Sequence, residues 1–188
     1  MRAEALSQIT PRGRISPLVN TGIYVVMGVS GSGKSLIGSQ FARALGIEFV
    51  EGDEFHSTEN IEKMSLGIPL TDEDRAGWLS ALARRIRVAN DEGVGVVISC
   101  SALKRAYRDI LRSETENVQF IFLRGSREVI AKRIAQRAEV HFMPGSLLDS
   151  QFAILEEPSS DERVWVCDIN DSPEKIVADL VARASNDG

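Results

Sequence analysis

The sequence predicts an α/β fold in three layers, with a five-stranded parallel sheet between helices on both faces. Three observations predict it. Short apolar, β-branched runs recur along the chain, each is followed by a segment of helical spacing, and the first run ends in a glycine-rich turn. Strands covered on both faces read as continuous apolar runs. Their alternation with helices builds right-handed βαβ units.

The elements follow in order. Ile23 to Met27 is a continuous apolar run ending at Gly28. Ser35 to Leu45 places Ile37, Phe41 and Leu45 on one helical face. The second strand is Ile47 to Val50. A long loop, Glu51 to Leu70, carries a short helix near Asn60 to Leu66. Thr71 to Asn90 opens with a Thr N-cap followed by Asp72, Glu73 and Asp74, which favour the positive end of the helix dipole. Its Trp78, Leu82 and Ile86 recur four apart. Val94 to Ser99, Val118 to Leu123 and Val164 to Cys167 are the remaining strands. Helices are expected over Ala102 to Arg112, Ser126 to Arg137 and Ser146 to Glu156. The last helix starts with Ser172 as N-cap and Pro173 at its first position. The second long connection is Ala138 to Gly145. Long loops in compact α/β domains are usually functional.

Composition limits what this fold can do. The 188 residues make about one domain. Lys plus Arg is 22 and Asp plus Glu is 27, a net charge of −5 that disfavours a nucleic-acid partner. No apolar run reaches the roughly 20 residues of a membrane span. Cys100 and Cys167 form no framework, so a reducing cytoplasm is the expected compartment. With His56 and His141 they make no close-spaced metal motif. Residues 1–20 stand apart, with Arg2, Arg12 and Arg14 against Glu4 alone. Without them 19 basic and 26 acidic residues remain, a balance of −7. The segment reads as a flexible extension, its Arg-bearing and acid-poor character being also that of an organellar transit peptide. Residues 21–188 form the domain.

The sharpest motif is Gly28-Val29-Ser30-Gly31-Ser32-Gly33-Lys34-Ser35, which fits G-x-x-x-x-G-K-S between a strand and a helix. The glycines let backbone amides converge on one cavity, and the helix start adds positive potential. Lys34 is placed for β- and γ-phosphates and Ser35 for Mg²⁺. The loop binds a nucleoside triphosphate without naming a reaction. There is no guanine-reading N-K-x-D, and the third strand ends Ile98-Ser99-Cys100-Ser101 without the Mg²⁺-holding Asp of many motor ATPases. A small phosphotransferase remains, and such enzymes need lids to exclude water. A binding regulator without turnover is the competing class, and intact Lys34, Ser35, Asp53 and Arg137 count against it.

Acceptor residues are expected beyond the carboxyl ends of the strands. Asp53, directly after the second strand, can accept a proton from an acceptor hydroxyl or can simply cap the loop. His56, Asn60, Lys63 and Arg75 offer donors suited to a polyhydroxylated anion. Arg75 has a plainer alternative, pairing with Asp72 or Asp74. Phe55 is the one aromatic available to stack a base, which argues against a nucleotide acceptor. Arg133 and Arg137, four apart, share a helix face that can meet the transferred phosphoryl. Arg127 and Lys132 read as solvated surface.

Four stretches carry a family resemblance: GVSGSGKS at 28–35, EGDEFHSTENIEKMSLGIPLTDEDRAGWL at 51–79, CSALKRAYRDILR at 100–112 and HFMPGSLLDSQFAILEEP at 141–158. The chain resembles gluconokinases of the thermoresistant type, within the group of P-loop kinases that includes shikimate and nucleoside-monophosphate kinases. The resemblance covers residues 22 to about 182. It implies a three-layer P-loop kinase fold with an acceptor-binding region at about 51–70 and a lid at about 137–146. It implies ATP-dependent phosphorylation of D-gluconate at its 6-hydroxyl, with Mg²⁺ held by Ser35 and, through water, Glu51. It implies that Asp53 orients or deprotonates the hydroxyl and that Arg133 and Arg137 are lid arginines. Ser101, Lys104 and His141 join the acceptor side, and Asp168 to Pro173 borders the adenine. Members are commonly dimers, so the resemblance implies a homodimer. One position departs from the pattern: Ser57 stands where the family usually has Pro, which leaves that turn freer.

Overall fold

The computed structural model describes residues 20–137 and 145–186. The elements run β1 (Ile23–Met27), α1 (Lys34–Leu45), β2 (Glu48–Glu51), α2 (Thr58–Ser65), α3 (Asp72–Glu92), β3 (Val96–Ser99), α4 (Arg105–Arg112), β4 (Val118–Arg124), α5 (Arg127–Arg137), α6 (Gly145–Ile154), β5 (Val164–Asp168) and α7 (Pro173–Asn186). The sheet order is β2-β3-β1-β4-β5, and every pairing is parallel. β1 is central, so the loop that follows it emerges between the ends of β3 and β4.

The period of two along β1 sorts the core into two layers. Ile23, Val25 and Met27 pack with Trp78, Leu79, Leu82 and Ile86 of α3 and with Tyr107 and Leu111 of α4. Tyr24 and Val26 face Ile37 and Phe41 of α1, Ile130 of α5, Leu148 of α6 and Leu180 of α7. Helices therefore cover both faces, as the apolar runs require. No helix among the described residues is long and apolar enough to cross a membrane.

Local chemistry sets the element ends. Thr71 and Asp74 form a reciprocal capping box on α3, with Asp74 N–H to Thr71 Oγ1 at 3.2 Å and Thr71 N–H to Asp74 Oδ2 at 2.9 Å. Ser57 caps α2 by accepting the Asn60 N–H at 3.2 Å. Its hydroxyl thus supplies a hydrogen bond that proline could not, and the turn is not left unsupported. α2 begins two residues earlier than the sequence spacing suggests, and a 3₁₀ turn over Gly52–Phe55 precedes it. α4 starts at Arg105, later than the expected Ala102, because Ala102 sits at φ 43° in the left-handed region. A non-glycine residue there is strained, and its carbonyl and the next are held from inside by Arg108 (3.1 and 3.2 Å).

Gly52 shows how tightly the strand ends are packed. A Cβ at this position would lie 1.9 Å from the Ser99 carbonyl oxygen. Gly52→Ala is expected to destabilise by about 3 kcal/mol, the upper range for overpacking, and to lower Tm by roughly 6–12 °C in a thermal melt. An unchanged Tm would mean that β2 and β3 can part at little cost.

Candidate active site

The loop after β1 is built to receive phosphate. Gly33, at φ 101° and ψ 19°, is the N-cap of α1 and has no side-chain cap. This conformation is open to glycine and strained for other residues. It leaves the first amides of α1 facing outward without a competing side chain. Ser32 is buried with an unpartnered hydroxyl. The loop is tied to the turn after β3 by the Gly28 N–H, which donates to the Ser101 carbonyl at 3.2 Å.

Lys34 folds back over this loop, its Nζ donating to the Val29 carbonyl at 3.2 Å. Desolvation pushes its ammonium below the ordinary lysine range, while Asp53, Cys100 and Glu51 pull it upward. The two carboxylates after β2 therefore lie within electrostatic reach of the loop lysine. Burial drives the Cys100 thiol up to about 12, so it is not a nucleophile at neutral pH.

Ser99, a polar residue at the end of an apolar strand, fixes Glu51 and the start of the turn after β2. Its hydroxyl donates to Glu51 Oε1 and accepts the Gly52 N–H at 3.1 Å. Trp78 Nε1 donates to the Gly52 carbonyl at 2.7 Å, and its indole stacks on His56 at 4.2 Å between centroids and 16° between planes. Neither Ser99 nor Trp78 was singled out by sequence as a site residue. The signal for Ser99 was its place in Val-Val-Ile-Ser, where a polar side chain interrupts a buried run.

Two acceptor-side groups are buried with free polar atoms, the His56 Nδ1 and the Arg75 Nε. Burial, more than the opposing charge of Asp53, lowers the His56 pKa, and Arg75 lowers it further. His56 is therefore neutral at pH 7. Arg75 does not take the plainer alternative. Asp72 is bound by Lys104 at 2.7 and 2.8 Å and by the Tyr107 hydroxyl. Asp74 is bound by Lys63 at 2.6 Å, and its backbone carbonyl accepts from Asn60 Nδ2 at 2.6 Å. The guanidinium of Arg75 lies 5.8 Å from the Tyr107 ring instead. Of the expected acceptor set, the structure groups Asp53, His56 and Arg75. Lys63, Asn60 and Lys104 are engaged in holding α2 and α4 against α3.

α1, α5 and the turn after β5, the segment expected to border the adenine, enclose a cavity of their own. It measures about 240 Å³ and is lined by Ser32, Gly33, Leu36, Arg133, Ile169 and Pro173, among others. Arg133 donates to the Ile169 carbonyl, so its guanidinium faces this cavity and not the carboxylates after β2. A larger cavity of about 680 Å³ lies at the opposite ends of the strands, beside Ile23, Asn117 and Trp165. Size alone therefore does not mark the site. Arg137 closes α5, and the rest of the expected lid with His141 lies outside the described residues. Among the described residues no cluster of three or more His, Cys, Asp or Glu is placed to hold a metal.

A parallel sheet with this loop at its central strand, and with acidic and cationic groups on the acceptor side, defines a nucleotide-dependent kinase of small molecules. Known proteins agree. A family model described as Shikimate kinase matches residues 30–184. The thermosensitive gluconokinase of Escherichia coli (strain K12) is 49% identical over 151 residues, which cover 78% of this chain and 79% of that protein. The thermoresistant gluconokinase of the same strain is 44% identical over 160 residues, covering 85% and 91%. A crystal structure of a gluconokinase from Sinorhizobium meliloti 1021 superposes with a TM-score of 0.81 at 46% identity, over 89% of this chain and 94% of that one. The chain belongs to the gluconokinases, within the shikimate kinase family, and is a phosphotransferase.

Proposed function

We propose that the protein transfers the γ-phosphoryl of ATP to the 6-hydroxyl of D-gluconate, giving 6-phosphogluconate and ADP. The observation that carries this reading is the pairing of Arg75 and His56, both buried with free polar atoms, beside Asp53 and Lys34. A sugar acid needs a cation for its carboxylate and neutral donors or acceptors for its hydroxyls. Arg75 fits the first requirement and His56 the second.

The chemistry follows from placement. Asp53 accepts the proton of O6 as O6 bonds to the γ-phosphorus. The bond from phosphorus to the bridging oxygen of ADP breaks, and ADP keeps that electron pair. Lys34 and the loop amides offset the charge spread over the equatorial oxygens. Arg133, with Ile169 and Pro173, holds the nucleotide side. The residues present also fit Mg²⁺, a hard cation that takes oxygen ligands. Ser35 and Glu51 would hold it, one Glu51 oxygen being fixed by Ser99 and the other free among the described residues. When bound, Mg²⁺ neutralises charge on the β- and γ-oxygens.

A coupled assay with ATP, Mg²⁺ and gluconate tests the reading, and turnover of shikimate or a nucleoside monophosphate in place of gluconate would overturn it. Arg75→Ala should raise KM for gluconate by roughly 10²-fold, the scale of a lost charge-assisted pair, with KM for ATP unchanged. Equal changes in both constants would remove Arg75 from the acceptor site.

A further inference from the structure

The helix after the lid reaches back to the phosphate loop. Gln151 on α6 accepts a hydrogen bond from the backbone N–H of Ser30 at 2.7 Å, across 121 positions of sequence. Ser30 lies on the loop between β1 and α1, where main-chain amides are the groups that meet phosphate oxygens. One of those amides is thus occupied by a side chain.

The bond has a direction that matters. A carboxamide has one acceptor oxygen and two N–H donors on its nitrogen. With the oxygen committed to Ser30, the amide plane is set and the Nε2 donors are left over. They have no partner among the described residues. The half-buried side chain thus leaves a donor pair beside the loop that carries Lys34, whose Nζ rests on the Val29 carbonyl.

α6 is held firmly enough for this to be a built arrangement. Leu147 and Leu148 are buried, Leu148 in the layer that packs on the sheet. Asp149 pairs with Arg127 of α5 at 2.6 Å. At its far end the Glu156 N–H donates to the Leu103 carbonyl at 2.9 Å, and Arg108 donates to the Glu156 carbonyl at 3.1 Å. Gln151 is therefore placed by packing on one side and by backbone bonds on the other.

We infer that Gln151 is a γ-phosphoryl-binding residue, its carboxamide oriented by the Ser30 amide so that Nε2 donates to the transferred group. This rests on the reading that the loop binds ATP and is independent of which hydroxyl receives the phosphoryl. A peg that merely fills the Ser30 N–H would need only an acceptor oxygen. A phosphoryl ligand needs the nitrogen. Glutamate separates the two, because it keeps the acceptor and replaces the donors with negative charge.

The test compares Q151E and Q151A by steady-state kinetics and by direct binding of ADP and a non-hydrolysable ATP analogue. Q151A is expected to lower kcat by roughly 10²-fold and Q151E by roughly 10³-fold or more, the range for losing and then reversing one preorganised donor. Both variants should bind ADP within about twofold of wild type and the ATP analogue more weakly, Q151E the weakest. Melting curves identify any variant that fails to fold, and the Q151A binding comparison stands if Q151E does. A Q151E kcat at or above that of Q151A overturns the proposal. So does an equal loss of ADP and ATP-analogue binding, which would mark a residue that only shapes the loop. Wild-type protein that binds ATP but leaves gluconate untouched would overturn the function and leave the Gln151 comparison intact.

Discussion

Lys34→Ala will lower kcat by roughly 10³-fold, the upper end for removing one preorganised charge from a transferring group, without lowering Tm. The two halves of this result have one cause. In the free protein Lys34 is desolvated over the loop, and its opposing partners do not restore the ordinary lysine pKa. A lysine whose folded pKa lies below its unfolded value disfavours folding at neutral pH, and that penalty fades only as the pH approaches 10.5. Removing the ammonium lifts that penalty, which offsets the lost bond to the Val29 carbonyl, while it removes the charge aimed at the γ-phosphoryl. The measurements are kcat at saturating ATP and gluconate, and a melting curve. A kcat within about tenfold of wild type would take Lys34 out of phosphoryl transfer.

Glu162→Ala will act in the opposite sense, on stability first. Arg108 is fully buried, and its Nε and NH2 meet Glu162 at 2.6 and 2.8 Å. Its NH1 serves the carbonyls of Ala102, Leu103 and Glu156. Removing the carboxylate strands a guanidinium in the core, at a cost of about 3–5 kcal/mol. For a chain of this size that is a Tm drop of roughly 6–20 °C. Replacing the pair, as Arg108→Met with Glu162→Leu, should recover part of that loss, since it removes the stranded charge but leaves three carbonyls and Arg112 without these partners. No recovery would show that the carbonyl contacts outweigh the ion pair.

The same pair has a pH signature. Hydrogen bonds from Arg108, against the opposing effect of burial, lower the Glu162 pKa from 4.5 to about 2. Its contribution, on the order of 3 kcal/mol, is fully present above pH 4.5. It is lost as the pH falls from there towards 2. Wild type should lose this stability over that interval in acid titrations, and Glu162→Gln should lack this component.

Most of the architecture was legible because its signals are local. The five apolar runs became the five strands, the first with unchanged bounds and the others with ends shifted by one or two residues. The Thr71 cap was readable from three acids in a row after it. The start of α4 was not, because the left-handed turn at Ala102 is held by Arg108 and so is a tertiary effect. In the site, the phosphate loop was readable as one contiguous segment. The partition of the cations was not. Lys63, Lys104 and Arg75 look alike as side chains on neighbouring segments, and only packing decides that Asp74 and Asp72 take the two lysines. Gln151 carries no sequence signal at all, because its partner is a main-chain N–H.

Asp74 has a consequence of its own. The carboxylate that caps α3 also holds Lys63, and the carbonyl of the same residue holds Asn60. α2 and the first turn of α3 thus share one anchor. Lifting α2 off α3 costs the Lys63 and Asn60 bonds to Asp74, while the Thr71–Asp74 cap can stay closed. α2 is thus latched by a single residue at the end of a helix whose other face is the floor of the core.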